Sequence, residues 1–431
     1  MSSLPAALRF ACVTLLVTAG CGLTDVGDDP TTLDEPDVAN PLGATMTRRA
    51  AYASLRLAVG DGAVWSGLLA DELFADTPFP GVNRDEQIDR RQSVAFEVSG
   101  GGTLAFPDWI ETRVKAADAI RRFRAYAPSD SGVVGELFAL RGFADVNLAE
   151  ETCPGFALNE VVDGRIVYGP ALTNEQVFQA ALVEFDSALA FAGDSISALH
   201  LAQVGRGRAL LGLGRYAEAA QAVAAVPSDF AFSLKFVNTS PAFQPNAIQQ
   251  FVVFLQGGVA DREGGNGLDY LSAADPRITA TEVGTAVDGV TPLYAFDKYP
   301  DDAAPMVLAS GLEARLIEAE AALDDGGDWL GILNALRADP AAPPGLDPLV
   351  DPGTADARVD LLFRERAFWL FLTGHRLGDL RRLIAHYGRA ADAVFPTGAY
   401  RLGGIYDTGT SLPFPSVEES INPNVTSCTS R

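Results

Sequence analysis

Residues 364–383 gather the groups in this chain best able to do chemistry. Arg364, Glu365 and Arg366 precede an apolar run, Ala367 to Leu372. Gly374 interrupts, and His375, Arg376, Asp379, Arg381 and Arg382 follow. Five arginines against two carboxylates could hold an anion. They could equally form a salt-bridged corner. A helical segment that is apolar all round is buried, so its charged flanks sit at the edge of a core, where a charge is costly unless paired. Asp379 stands three residues from both Arg376 and Arg382 and so shares a helical face with them. Glu365, Arg366, His375, Arg376, Asp379 and Arg382 are therefore expected to form a structural charge network, with the anion site as the alternative.

Other chemistry is sparse. The chain has three histidines, His200, His375 and His386, and no Gly-x-Ser-x-Gly or His-Glu-x-x-His pattern. No calcium loop of EF-hand form occurs, and neither a metal nor a cofactor is expected. Carboxylate pairs such as Asp71-Glu72 and Asp324-Asp325 are unavoidable at this acidity. Glycoside hydrolysis needs only two acids at the right separation, which a sequence does not exclude.

The elements that must position these groups are helical. Thr45 to about Phe74, a segment opening at Asp108, Gly135–Glu151 and a segment after Thr173 show helical periodicity. Gly60 and Gly62 suggest a break in the first. Asp108 is expected to cap the second, and Thr173 with Gln176 reads as a capping box. Leu199–Val226 carries Gly207, Leu210, Gly214, Tyr216, Ala219 and Val223 at the spacing of a tetratricopeptide helix pair. Leu312–Arg337 looks like a second pair, turning at residues 324–328. One pair cannot bury its own faces, so others must stack on it. Residues 227–305 lose this periodicity and interleave aromatics with Asn, Gly, Pro and Asp. Phe251–Leu255 there could be a strand.

At 431 residues and 48% apolar content the chain can bury a large core, and its net charge of -24 argues against nucleic acid or anionic lipid as partners. No apolar run approaches the ~20 residues of a spanning helix. Arg9, the apolar run Phe10–Val17 and Thr18-Ala19-Gly20 form a secretory signal. Cys21 follows directly, as in a bacterial lipobox, and is expected to take lipid (a palmitate-type acyl chain), the alternative being an ordinary signal cleaved nearby with Cys21 incidental. Residues 22–41, rich in Asp, Pro and Thr, read as a flexible tether. Of the four cysteines, Cys12 leaves with the signal. Cys153 and Cys428 remain for an oxidising compartment and are expected to pair, the alternative being two free thiols.

Several motifs, in order, resemble the SusD/RagB family of outer-membrane nutrient-binding lipoproteins. They are the lipobox, Asp275-Pro-Arg277, Lys298-Tyr-Pro300, Glu313–Glu320, Leu333-Asn-Ala-Leu-Arg337, the block Glu365–Arg382, and Pro413-Phe-Pro415 with Asn422-Pro-Asn424. The resemblance implies a mainly α protein: tetratricopeptide-like helix pairs, four in number, in an α-α superhelix beneath an irregular ligand-facing region. The chain then divides into a signal (1–20), a lipidated tether (21–41) and one domain (42–431) with loop-rich insertions at about 76–106 and 227–305. It also implies a non-catalytic lipoprotein on the outer face of the outer membrane. Such a protein would pass an oligosaccharide or peptide to a TonB-dependent β-barrel transporter and touch the membrane only through its lipid. A periplasmic tetratricopeptide scaffold, or a surface glycan hydrolase, is the alternative. Aromatic faces stack on sugar rings and a few polar groups satisfy hydroxyls. Phe79, Asn83, Arg84, Phe243, Asn246, Tyr270 and Tyr294 are the ligand-binding candidates on that ground.

Overall fold

The computed structural model describes residues 38–76, 84–92, 105–162, 164–239, 244–254, 256–426 and 428. In chain order the first half runs α1 (Pro41–Leu69), β1 (Leu73–Ala75), α2 (Arg84–Asp89), α3 (Ala105–Tyr126), α4 (Ser131–Glu151), β2 (Glu160–Val162), β3 (Arg165–Val167), α5 (Asn174–Phe191), α6 (Ile196–Gly212) and α7 (Tyr216–Val223). The second half runs β4 (Ala231–Leu234), α8 (Ala247–Val253), β5 (Gly257–Val259), β6 (Ala280–Thr285), β7 (Pro292–Phe296), β8 (Met306–Ser310), α9 (Gly311–Asp325), α10 (Trp329–Arg337), α11 (Ala355–Trp369), α12 (Arg376–Ala385), α13 (Ala391–Val394) and α14 (Ser416–Ile421).

The helices pack as four pairs: α1 with α3, α4 with α5, α6 with α7, and α9 with α10. Neighbouring pairs share faces, α3 on α4, α5 on α6 and α7 on α9. Local chemistry starts several of the rods. Asn40 accepts the Gly43 amide at 3.0 Å ahead of Pro41, and Thr173 and Gln176 close the expected capping box. Ser195, Ser310 and Asp328 accept amides at the starts of α6, α9 and α10. Helix α5 buries Val177, Ala181, Phe185 and Ala188, one stripe per turn. Where α6 crosses α7 the rods nearly touch: a Cβ on Gly207 would lie 2.5 Å from Val223 Cγ1. Gly214 turns the chain between them at φ +67°.

The strands form four separate two-stranded antiparallel ribbons, β1–β5, β2–β3, β4–β8 and β6–β7, so the described residues contain no central sheet. Cys153 and Cys428 are bonded, with Cα atoms 5.7 Å apart. No helix among the described residues is long and apolar enough to cross a membrane.

Three sequence expectations need correction. Helix α1 is unbroken through Gly60 and Gly62. Both glycines make room for neighbours, Gly60 for Ala247 and Gly62 for Trp109 and Glu151. Asp108 does not cap α3, which begins three residues earlier at Ala105, and its carboxyl is buried beside Asp61. Residues 251–253 end a helix, α8, because the Asn246 side chain accepts the Ile248 and Gln249 amides at 3.0 and 3.3 Å.

Candidate functional site

The arginine-rich stretch folds as a corner between two helices. Helix α11 ends at Trp369. Leu372 and Gly374 take left-handed conformations, φ +53° and +77°, and α12 starts at Arg376. The Leu372 amide donates to Glu72 Oε1 at 2.9 Å, which holds a backbone conformation unfavourable to leucine. Arg366 grips Asp379 with two bonds of 2.9 Å, and Arg382 reaches Asp379 at 2.9 Å and Glu320 at 3.1 and 2.9 Å. Arg277 and Arg337 both donate to Glu365, at 2.7 and 2.8 Å. His375 Nε2 lies 3.1 Å from Glu313 Oε1.

The expected partner of Arg376 was wrong in one respect. Its guanidinium turns from Asp379 to Asp71, at 2.6 and 2.8 Å. Asp71 and Glu72, a pair that the acidity of the chain would by itself explain, both bond to the corner. Arg364 meets Asp269, and Arg381 donates to the Ala149, Glu150 and Thr152 carbonyls, so every arginine of the stretch is already engaged within the protein. Burial opposes ionisation of Asp379, but Arg366 and Arg382 outweigh it and hold the carboxyl far below its usual range.

Other acids lack such partners. Desolvation raises the buried Glu72 to about 8 and Glu151 to about 8, so both are neutral near pH 7. Each folded site then keeps a proton that the unfolded chain has released above its ordinary 4.5. Stability must fall as pH rises from about 5 to about 8. The urea midpoint is expected to be higher at about pH 5.5 than at about pH 7.5, and Glu72→Gln should flatten that slope. A midpoint that rises across this window would contradict the assignment.

A cavity of about 690 Å³ opens beyond the corner. Its walls are the β1–β5 ribbon at Phe74, the turn 261–265, the start of β7 with Tyr294, and the loop bearing Arg401 and Tyr406. Arg401 lies over the Phe74 ring, 4.6 Å from its centroid, donates to the Ala75 carbonyl, and sits 3.4 Å from Asp288. Asp261 accepts the Leu271 and Ser272 amides at 2.9 Å and pins the turn. Tyr294 is half-buried and offers part of its ring to the cavity. The lining therefore combines aromatic rings with charged and hydroxyl groups, a composition that suits a polyhydroxylated ligand. Among the described residues no group of three or more His, Cys, Asp or Glu could hold a metal.

No family model matches the sequence, and no curated protein matches it. Solved structures do match its fold. NanU of B. fragilis superposes with a TM-score of 0.65 at 15% identity, over 94% of this chain and 100% of its own. A SusD superfamily protein from Bacteroides thetaiotaomicron gives 0.67 at 14% identity, over 90% and 99%. The chain has the SusD fold. A SusD-like carbohydrate binding protein from Bacteroides vulgatus gives 0.63 at 14% identity, over 90% and 97%.

Within this SusD fold the expected ligand residues do not converge. Phe79, Asn83 and Phe243, like Cys21, lie outside the described residues. Two others need correction. Tyr270 is fully buried, its ring 4.6 Å from that of Phe371 and its hydroxyl toward Asp71. Asn246 is fully buried as the cap of α8 and donates to the Ala304 carbonyl at 2.9 Å. Both serve the interior because the aromatic-rich segment 227–305 supplies core as well as surface. Arg84 lines a different, smaller cavity of about 300 Å³, stacked 4.0 Å over Trp65. Of the described candidates only Tyr294 faces the large cavity. Arg401, Tyr406 and Phe74 were missed there. They come from two distant segments, and nothing in their local sequence marks them.

Proposed function

We propose that this protein binds a carbohydrate in the 690 Å³ cavity and feeds it to an uptake system, without transforming it. The observation that carries this reading is the cavity itself: a half-buried tyrosine, a stacked arginine and a pinned turn, on the fold of SusD-like carbohydrate binding proteins. Binding is favoured over hydrolysis because both acids of the lining are engaged within the protein: Asp261 accepts the Leu271 and Ser272 amides, and Glu263 meets Asp89 and the Tyr406 hydroxyl. The Cys21 lipid, the tether and the surface location complete the reading, with a TonB-dependent barrel as the receiving partner.

Calorimetry of the purified protein against a panel of neutral oligosaccharides is expected to find at least one ligand. Tyr294→Ala should weaken it by about tenfold or more, as for other buried aromatic anchors. A panel with no binder, or a binder indifferent to Tyr294→Ala, would remove the cavity from the proposal. Fatty-acid labelling of Cys21 and co-purification with a large barrel test the remainder.

A further inference from the structure

The cavity wall contains a second feature, which its ligand-binding role does not require. Arg262, Gly264 and Gly265 stand at φ +55°, +60° and +76°, so the turn 262–265 is built largely from left-handed backbone. It is wedged closely: a Cβ on Gly264 would lie 2.5 Å from the Thr397 amide nitrogen. Asn266 ties the end of the turn to the Phe395 carbonyl at 2.7 Å and to the Thr397 amide at 3.1 Å. In the middle sits Glu263, whose carboxyl turns inward to meet Asp89 and the Tyr406 hydroxyl. Asp89 is almost wholly buried. One of its oxygens is fully engaged, accepting the Ala75 amide at 2.7 Å and the Tyr400 hydroxyl at 2.9 Å.

The other oxygen, Asp89 Oδ1, has no donor, and neither has Glu263 Oε2, although both are shut off from water. Two buried carboxyls in contact, each with an oxygen lacking a donor, are complete only if one proton lies between them. The surrounding charges do not remove that need. Arg401 is near Asp89 but is committed to Asp288 and the Ala75 carbonyl. Asp71 adds negative charge beside Glu263 and is itself held by Arg376. Arg90 lies 5.0 Å over the Tyr400 ring and 3.3 Å from Glu86. Tyr400 and Tyr406, edge to face at 5.2 Å, supply one hydroxyl to each acid.

We infer that one proton shared by Asp89 and Glu263 latches the turn 262–265 shut, and that its loss loosens this wall of the cavity and weakens whatever the cavity binds. The inference rests on the cavity being the ligand site, but the latch is testable without a ligand. Desolvation raises both carboxyls, and the Asp89 charge raises Glu263 further, so the proton stays at acid and neutral pH and leaves as pH rises. Ligand capture is then strongest on the acid side.

Hydrogen exchange of the intact protein reads the latch directly. Protection factors of amides 262–267, corrected for intrinsic rates, are expected to fall about tenfold or more from about pH 5.5 to about pH 8.5. That is one order for each unit by which the closed turn binds the proton more tightly than the open one. Amides of α6 serve as the reference. Glu263→Gln, whose amide donates to Asp89 at any pH, should hold protection within about twofold. Asp89→Asn replaces it if that variant does not fold. A flat wild-type profile, or a parallel fall in wild type and the amide variant, overturns the latch. A pH-dependent turn in a protein that binds no oligosaccharide keeps the latch and rejects the ligand site.

Discussion

Asp379→Asn is expected to lower the free energy of unfolding by about 3–5 kcal/mol, the usual result of removing one partner from a buried charge network. The reason is asymmetric. The carboxylate accepts from Arg366 at 2.9 Å twice and from Arg382 at 2.9 Å once, and all three side chains are buried. An amide of the same shape keeps one oxygen and turns an NH2 group toward a guanidinium, leaving positive charge without compensation. Arg382 retains Glu320, so Arg366 bears most of the loss. Urea denaturation at pH 7 measures it. Because the pair is shielded from solvent, the difference should persist at high salt, where an exposed pair would be screened. A loss below about 1 kcal/mol would place the network in the range of exposed ion pairs instead. The paired substitution Arg366→Met with Asp379→Leu should recover much of the stability, since apolar replacement of a buried pair is often neutral.

Breaking the Cys153–Cys428 bond is expected to cost about 2–5 kcal/mol. The bond spans 275 positions, so it restrains the unfolded chain strongly. Entropy is only part of it. The segment it fastens carries Phe414, packed against Phe106 and Phe156 at 6.0 and 6.3 Å, and the Thr426 amide, which donates to the Gly155 carbonyl at 3.2 Å. Cys153→Ser with Cys428→Ser should shift the urea midpoint downward and abolish any effect of reductant on it. An unchanged midpoint after reduction would show that these contacts hold the segment unaided.

Much of this architecture was legible beforehand, for reasons that can be named. Gly207, Gly214 and Val223 revealed a helix pair because close crossing and a left-handed turn tolerate few residue types. The capping box at Thr173 is a local rule and held. The network was half-legible. Asp275-Pro-Arg277, Lys298-Tyr-Pro300, the Glu313–Glu320 helix and Arg337 appeared as scattered motifs, and the structure gives them one destination. Arg277 and Arg337 meet Glu365. Lys298 and Tyr299 donate to the Phe371 and Leu372 carbonyls, at 3.2 and 3.0 Å. Glu313 and Glu320 meet His375 and Arg382. Spacing on one helix suggested Arg376 with Asp379, but Asp71, from the turn after α1, gave the two-bond geometry that helical neighbours rarely reach. The cavity was not legible. Phe74, Tyr294 and Arg401 become neighbours only after the ribbons form, and alternation in short strands carries too little signal to say which aromatic is left at the surface.

The corner at Leu372 also constrains the order in which the chain can mature. Asp71 and Arg376 are 305 positions apart, and Glu72 waits for a backbone amide 300 positions away. Helix pairs close through nearby contacts and can assemble as the polypeptide emerges from its amino end. Their acidic seam is completed only when the last fifth of the chain arrives. Until then Asp71, Glu72, Glu313 and Glu320 lack the partners that the folded protein gives them. Translocation across a membrane before folding would suit such a protein well, because the residues that lock it are the last to cross.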